Sequence, residues 1–211
     1  MTMKSILSHE TRGIIAHTVK SAVVLLLVVT ALVGVVYVGA VTGIAQVFFP
    51  HQANGSVIEV DGKRYGSELL AQQFSEADHM WGRIMKVNTE LITDAQGNPT
   101  LWATPSNMSP ASDEYAQVVA QRVALIHEAH PDQQNTSIPS DLVTCSGSGL
   151  DPDISPAAAE YQVRRLAANT GRSESEVRSI ISACTTQPFL GVLGDARVNV
   201  LKVNLTLDGV L

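Results

Sequence analysis

A run of 29 residues without a charged side chain, from Ser21 to Phe49, most limits how this chain can fold. A helix that crosses a bilayer needs about 20 consecutive, mostly apolar residues. Within hydrocarbon, every backbone N–H and C=O group must find its partner inside the segment, as it does in a helix. The sequence therefore predicts a transmembrane helix over residues 21–49 and excludes a simple cytosolic globular protein.

Charge is distributed unequally on the two sides of this run. Residues 1–20 carry three basic side chains and one acidic side chain, a net charge of +2. Residues 51–211 carry 11 basic and 19 acidic side chains, a net charge of −8. Because positively charged flanks stay on the cytoplasmic side, we expect a cytoplasmic tail over residues 1–20 and an extracytoplasmic domain over residues 50–211.

A cleaved signal peptide is the alternative interpretation of the apolar run. The sequence around Gly43-Ile44-Ala45 resembles a small-residue cleavage site. The apolar core of a signal peptide is usually about 7–15 residues long, well short of this run. An uncleaved anchor in membrane lipid is therefore favoured.

Small residues recur at a spacing of four within the predicted helix, at Thr30 and Gly34 and again at Gly39 and Gly43. Small residues four apart let two helix backbones approach closely in a membrane. The pattern predicts packing against the helix of a partner protein. The competing interpretation is that glycine is frequent in membrane helices in general.

The remaining chain predicts a small α+β domain. Val57 to Val60, followed by Asp61-Gly62, indicates a hairpin, and the apolar spacing of Ser67 to Phe74 predicts a short helix. The segment 75–112 lacks a clear period, so we expect loops there, with Leu91-Ile92 and Leu101-Trp102 as candidate hairpin strands.

Capping residues and prolines mark three further helices and a last strand. The helices are predicted to run from Ser112 to about His130, from Pro156 to about Ala168 and from Glu174 to about Cys184, the last with a Ser173/Glu176 capping box. Residues 198–207 alternate apolar and polar side chains beyond Leu201. They predict a strand with a bulge near Leu201.

Candidate chemistry is sparse outside the membrane segment. The loop Ser146-Gly147-Ser148-Gly149 lacks the G-x-S-x-G order of a nucleophile elbow and the lysine of a phosphate loop, so a structural turn is favoured. The nearby carboxylates Asp151 and Asp153 have no candidate nucleophile or acid partner and fit helix-entry electrostatics. We expect no catalytic residue and no directly bound cofactor, and therefore no enzyme.

Three further groups of residues have competing interpretations. Cys145 and Cys184 permit one disulfide, but two unpaired thiols are favoured. The string HEAH, with His127 and His130, lacks the H-E-x-x-H spacing of a zinc site. Residues 156–185 imitate a helix-turn-helix with four arginines, which would suit a membrane-tethered DNA-binding protein. The acidic charge and the 5% aromatic content argue against nucleic acid as a partner.

Several strings resemble one family in order and position. They are FFPHQANGS (Phe48–Ser56), YGSELLAQQF (Tyr65–Phe74), IPSDLVTCSGSGLDPDISPAAAEYQVRRLA (Ile138–Ala167) and QPFLGVLGDARVNVLKVNLTLD (Gln187–Asp208). Together they cover most of the chain and resemble the KdpC family, the C subunit of the potassium-transporting Kdp ATPase.

The resemblance implies a non-catalytic subunit of a high-affinity, ATP-driven potassium pump that assembles and stabilises the complex. Its implied partners are a channel-like potassium-binding subunit, a P-type ATPase subunit and a very small membrane subunit, which handle potassium and ATP. The family is also described as assisting ATP binding, which we expect to act through the complex because ATP is cytoplasmic. The resemblance makes the loop Ser146–Gly149 with Asp151 a candidate subunit contact.

An extracytoplasmic ligand-binding sensor with a single anchor is the alternative function. Such a sensor needs a signalling domain inside the cell, and about 20 residues cannot form one. The subunit interpretation is therefore preferred.

Overall fold

The computed structural model describes residues 9–88 and 102–211 of the chain. The chain forms two compact units, one ending at Ser56 and one beginning at Val57. The first unit is helical, and the second combines helices with short antiparallel strands. The predicted α+β class with one long apolar N-terminal helix is confirmed.

The first unit is one continuous helix with a wider turn in its middle. It consists of α1 (His9–Val29), a π-helical segment (Thr30–Tyr37) and α2 (Val38–Phe48), and a single turn, α3 (Pro50–Ala53), follows. Within it, Thr11–Phe48 is long and apolar enough to cross a membrane. The helix ends at Phe49, which leaves the helical conformation, and Pro50 has no N–H with which to continue the ladder.

The second unit contains seven short strands and five helices among its described residues. The strands are β1 (Val57–Val60), β2 (Lys63–Ser67), β3 (Lys86–Asn88), β4 (Trp102–Thr104), β5 (Asp153–Ile154), β6 (Thr185–Thr186) and β7 (Arg197–Asn199). The helices are α4 (Asp113–Ala129), α5 (Pro156–Tyr161), α6 (Val163–Thr170), α7 (Glu174–Ala183) and α8 (Val200–Leu207), and two 3₁₀ turns lie at Pro131–Gln133 and Ser140–Leu142.

Antiparallel pairing accounts for all three described sheets. The predicted hairpin at Asp61-Gly62 is confirmed: β1 pairs with β2, with an irregularity between Ile58 and Glu59. A three-stranded sheet has the order β5-β7-β6. β3 pairs with β4, whereas Leu91, Ile92 and Leu101 of the predicted hairpin lie outside the described residues.

Local capping chemistry places the helices around the core. Ser112, Ser155 and Ser173 accept hydrogen bonds from the third residue of α4, α5 and α7, and the capping box at Ser173 is confirmed. The single helix predicted from Pro156 is instead two, because the chain turns at Gln162 between α5 and α6. Gly171 ends α6 in the left-handed conformation.

The helix predicted over Ser67–Phe74 is wrong. The segment leaves β2 as an irregular chain, because Gly66 has φ +136° and the Gln72 side chain returns to donate to the Tyr65 carbonyl at 3.1 Å. The Ala71 N–H donates to the Leu150 carbonyl at 2.9 Å. Leu69 and Leu70 consequently lie exposed on the surface.

The strand predicted over residues 198–207, with its bulge near Leu201, is also wrong beyond Asn199. Asn199 accepts from the Lys202 N–H at 3.0 Å and caps helix α8. Six of the eight residues of α8 are buried, and the half-buried Lys202 and Thr206, four apart, form its remaining face. Because most of the helix surface is buried, the sequence lacks the amphipathic helical period that would have indicated a helix.

Two buried amides hold an irregular segment inside the core. The Asn204 side chain accepts from the Met80 N–H at 2.6 Å and donates to the Met80 carbonyl at 3.0 Å. The Gln162 side chain pairs in the same way with Trp81, at 2.8 and 3.0 Å. Each amide replaces a neighbouring strand, so buried backbone polar groups are satisfied without a sheet.

Two arginines lie against the ring of Trp81. The guanidinium of Arg165 is 4.5 Å from the Trp81 ring centroid, and that of Arg122 is 5.3 Å away. Arg165 is only 6% exposed, and it donates to Gln162, His130 and the Ala77 carbonyl. Burial, with a further effect from the charge of Arg122, lowers the pKa of Arg165 to about 10.

His130 completes this cluster in its neutral form. Nδ1 lies 2.8 Å from the Ile126 carbonyl oxygen, and Nε2 accepts from Arg165 Nε–H at 3.2 Å. Burial lowers the pKa of His130, and the charges of Arg165 and His127 act in the same direction, against the Ile126 carbonyl and Asp132. A proton on Nε2 would remove the acceptor for Arg165 and add a second buried cation.

We predict that acid destabilises the protein through His130. The folded pKa of His130 lies below the unfolded value of about 6.5. The contribution of neutral His130 to stability is therefore fully present above that pH and is lost as pH falls toward the folded pKa. One proton changes the free energy of unfolding by at most about 1.4 kcal/mol per pH unit. Denaturant unfolding of the full-length chain between pH 7.5 and 5 measures this slope. His130→Gln should reduce it, and equal slopes in the two proteins would contradict the assignment.

Candidate functional site

The loop at residues 146–149 uses its hydroxyl groups to shape its own backbone. Ser146 Oγ accepts from the Gly149 N–H at 2.9 Å and from the Asp151 N–H at 3.4 Å. Ser148 Oγ accepts from the Leu150 N–H at 3.1 Å. Both hydroxyls therefore act as turn-forming acceptors, as the structural interpretation of the loop predicts.

Gly149 lies where no larger residue fits. Its φ is +72°, and a Cβ atom there would lie 2.3 Å from the carbonyl carbon and oxygen of Thr104. Gly147, two residues earlier, has open space around its Cα. The loop is therefore packed against the chain at Gly149 and open to solvent at Gly147.

An arginine fixes the carboxylate that follows the loop. Arg83 contacts Asp151 at 3.2 Å through Nε and Asp141 at 3.1 Å through Nη2. Burial by itself would raise the pKa of Asp141, but hydrogen bonds from Ser155 and the charge of Arg83 hold it below the ordinary value. The sequence analysis missed Arg83. The only signal in the sequence was that its two partners, Asp141 and Asp151, are acidic and need a nearby cation when they are partly buried.

Asp151 and Asp153, which the sequence assigns to helix-entry electrostatics, contact separate arginines, and the Asp151 carboxylate accepts from the Asp153 N–H at 3.0 Å. The Asp153 carboxylate accepts from Asn199 at 3.1 Å and contacts Arg197 at 3.0 Å. Burial raises the pKa of Asp153 above its ordinary value. Glu68 pairs with Lys202 in the same cleft. These charges are mutually neutralised, which suits structural ion pairs rather than acid-base chemistry.

The loop shares a shallow groove with exposed apolar side chains. Leu69 and Leu70 line it together with Ser146, Gly147 and Ser148. The hydrogen bond from Ala71 to Leu150 holds the two segments side by side. We call this surface, residues 69–70 and 146–151, the loop surface. It combines a polar rim with two apolar side chains, as protein contact sites often do.

Two of the small residues of the N-terminal helix lie within its wide turn, and two lie after it. Thr30 and Gly34 belong to the π-helical segment, and the Thr30 methyl group lies 3.8 Å from the position of a Cβ at Gly34. Gly39 and Gly43 belong to α2 and have no atom within 4 Å of such a position. These two glycines leave an open notch in the helix surface.

The arginines of the helix pair 156–185 are engaged within the fold. Arg165 is buried, Arg172 donates to the Leu207 carbonyl, Arg164 pairs with Asp132, and Arg178 pairs with Glu160 and Glu174. Hydrogen bonds from Arg178 to Glu160 and Glu174 raise its pKa. The arginine side chains that would contact DNA phosphates are therefore paired with groups of the protein itself.

His130, Cys145 and Cys184 were further candidates for chemistry. Both ring nitrogens of His130 are engaged inside the protein, which leaves none for a metal ion. Cys145 and Cys184 are free thiols, as favoured from the sequence. Burial raises the pKa of Cys184, so this thiol stays protonated and unreactive at neutral pH.

Known proteins similar to this chain share one description. A family model for KdpC, the c chain of K+-transporting ATPases, matches residues 19–209. The potassium-transporting ATPase KdpC subunit of Clostridium botulinum is 51% identical over 190 residues, which cover 90% of this chain and 94% of that relative. The subunit of the same name from Clostridium perfringens is 51% identical and covers 92% and 98% of the two chains. That from Herpetosiphon aurantiacus is 43% identical and covers 90% and 94%.

We predict that alanine destabilises the protein at one glycine of the loop and has little effect at the other. Gly149→Ala should lower the free energy of unfolding by more than about 1 kcal/mol, because the residue has positive φ and no room for a methyl group. Gly147→Ala should change it by less than about 0.5 kcal/mol, because its surroundings are open. Denaturant unfolding of the full-length variants measures both values, and equal effects would contradict the packing described here.

Proposed function

Because the chain belongs to the KdpC family, the c chain of K+-transporting ATPases, we propose that it is the non-catalytic C subunit of a high-affinity, ATP-driven potassium uptake pump. Its role there is to assemble and stabilise the complex and so support potassium transport. The observation that carries this proposal is the family match, which extends from residue 19 to residue 209. The alternative, a single-anchor ligand-binding sensor, receives no support from that match.

The proposed partners are a channel-like potassium-binding subunit, a P-type ATPase catalytic subunit and a very small membrane subunit. Potassium and ATP are handled by these chains. The loop at residues 146–149 supports a non-catalytic role, since its hydroxyls accept hydrogen bonds from neighbouring backbone groups. An influence on ATP binding would then be a coupling between sites in the complex rather than a nucleotide site on this chain.

The proposed topology is a cytoplasmic tail at residues 1–20, a transmembrane helix at 21–49 and an extracytoplasmic domain at 50–211. The net charge of +2 before the apolar run and −8 after it supports this orientation. The helix Thr11–Phe48 supplies an anchor of sufficient length. The domain would accordingly meet its partners on the outer side of the membrane.

Two surfaces are proposed as subunit contacts. The first is the helix face with Thr30, Gly34, Gly39 and Gly43, where the notch at the last two glycines admits a close neighbouring helix. The second is the loop surface, where exposed leucines lie beside a rigid polar turn. The helix holds the chain in the membrane part of the complex, and the loop surface positions the external domain.

The helix contact is tested by filling the notch. We expect Gly39→Leu and Gly43→Leu to reduce several-fold the amount of P-type ATPase subunit that co-purifies with the tagged chain from membranes containing the whole pump. The added side chains meet nothing in the chain itself, so a loss reflects the partner. Ala45→Leu adds comparable volume on the opposite side of the helix and should leave recovery unchanged. Equal recovery for all three variants would contradict this contact.

The loop surface is tested at Gly147, whose surroundings are open. Gly147→Trp should weaken retention of the other subunits under mild detergent, whereas Gly147→Ala should retain them. The thermal midpoint of the full-length chain alone should be similar in both variants. Full retention with tryptophan at this position would remove the loop from the interface.

A further inference from the structure

A short turn between β6 and β7 exposes four large apolar side chains. Phe189, Leu190, Val192 and Leu193 have 69%, 78%, 77% and 61% of their surface exposed, respectively. We call residues 188–193 the apolar turn. Single exposed apolar residues are ordinary on a protein surface, but a contiguous group of this kind marks a contact site.

The apolar turn is held in shape by its own backbone. The Phe189 N–H donates to the Leu193 carbonyl at 2.9 Å, and the Leu193 N–H donates to the Phe189 carbonyl at 3.0 Å. The Gly191 N–H donates to the Pro188 carbonyl at 3.0 Å. The four side chains are therefore displayed on a closed turn, which lowers the entropy lost when a partner binds.

Leu190 has a backbone conformation that disfavours leucine. Its φ is +53°, in the left-handed region where glycine and asparagine are the usual residues. With 78% of its surface exposed, the Leu190 side chain gains little from burial within its own chain in return for that strain. Strained residues persist where function uses them, so the side chain is expected to act on another molecule.

We propose that the apolar turn inserts into an uncharged groove on another chain of the same K+-transporting ATPase and anchors the C-terminal unit there. This inference rests on the proposed function, which supplies the partner chain. Residues 185–194 carry no charge, although residues 51–211 together carry a net charge of −8. A neutral, apolar turn on an acidic unit is complementary to an uncharged groove.

A lipid surface fits this turn less well. Segments that bind membrane surfaces carry tryptophan or tyrosine at the interface and basic residues toward the headgroups. Residues 185–194 contain neither, and the first charge after them is the carboxylate of Asp195. Anionic lipid would therefore repel the end of the turn.

Site-specific photocrosslinking in the assembled complex tests the proposal. A photoreactive amino acid replaces Leu190 in the tagged full-length chain, and a matched variant carries it at Leu125, an exposed position on α4. We expect the probe at position 190 to form adducts with another pump chain several-fold more often than the probe at position 125. Adducts only with lipid, adducts only with a second copy of this chain, or no adduct in an intact complex would each overturn the inference.

A substitution separates the role of Leu190 in binding from its role in folding. Leu190→Asn removes the apolar side chain and suits the left-handed conformation, so the thermal midpoint of the full-length chain should stay the same or rise. Retention of the other pump chains through detergent washing should fall several-fold, whereas Leu125→Gln should retain them. Unchanged retention with Leu190→Asn would contradict the anchoring role of the apolar turn but not the proposed function. Failure of the unsubstituted chain to recover any pump subunit would contradict the proposed function and this inference with it.

Discussion

Hydrogen bonds from two buried amides to the backbone of Met80 and Trp81 are the interaction on which the C-terminal unit depends. Asn204 lies 124 residues beyond Met80, and Gln162 lies 81 residues beyond Trp81, so these bonds join α8 and the α5–α6 turn to an irregular segment. Buried backbone groups without partners are costly, and here side chains supply the partners. The position of Trp81 in turn allows Arg122 and Arg165 to lie against its ring. Strand-like order is thus obtained in a segment that belongs to no sheet.

The same arrangement explains why so many cations of this unit are unavailable for other work. Arg165 is enclosed by Trp81, Gln162 and His130, and Arg83 bridges two carboxylates beside the loop surface. Paired or enclosed guanidinium groups give rigidity at the expense of free positive charge. The exposed apolar side chains of this unit include Leu69, Leu70 and the four of the apolar turn. Such side chains suit contacts with other proteins.

Sequence alone predicted the features that depend on local chemistry. The apolar helix, the Asp61-Gly62 hairpin and the serine N-caps of α4, α5 and α7 are set by neighbouring residues. The failures share one cause, which is tertiary contact. Residues 202–207 alternate like a strand, but residues 200–207 form the helix α8, which is buried on nearly all sides. Ser67–Phe74 forms no helix, because the Gln72 side chain donates to the Tyr65 carbonyl and the Ala71 N–H donates to the Leu150 carbonyl. At the candidate site, the sequence shows the loop as a motif. Arg83, Leu69 and Leu70 lie beside it only because segments far apart in the chain pack together, which the sequence does not show.

The length of the N-terminal helix has a consequence for the membrane around it. At about 1.5 Å per residue, the 29 uncharged residues from Ser21 to Phe49 extend about 44 Å, against a hydrocarbon thickness of about 30 Å. An apolar segment this long relieves the hydrophobic mismatch by tilting or by thickening the surrounding bilayer. The π-helical segment lies near the middle of that stretch, and Gly39 and Gly43 follow it in α2. With the helix in the membrane as proposed, acyl chain length becomes a physical variable that acts on its tilt and so on the proposed packing at Gly39 and Gly43.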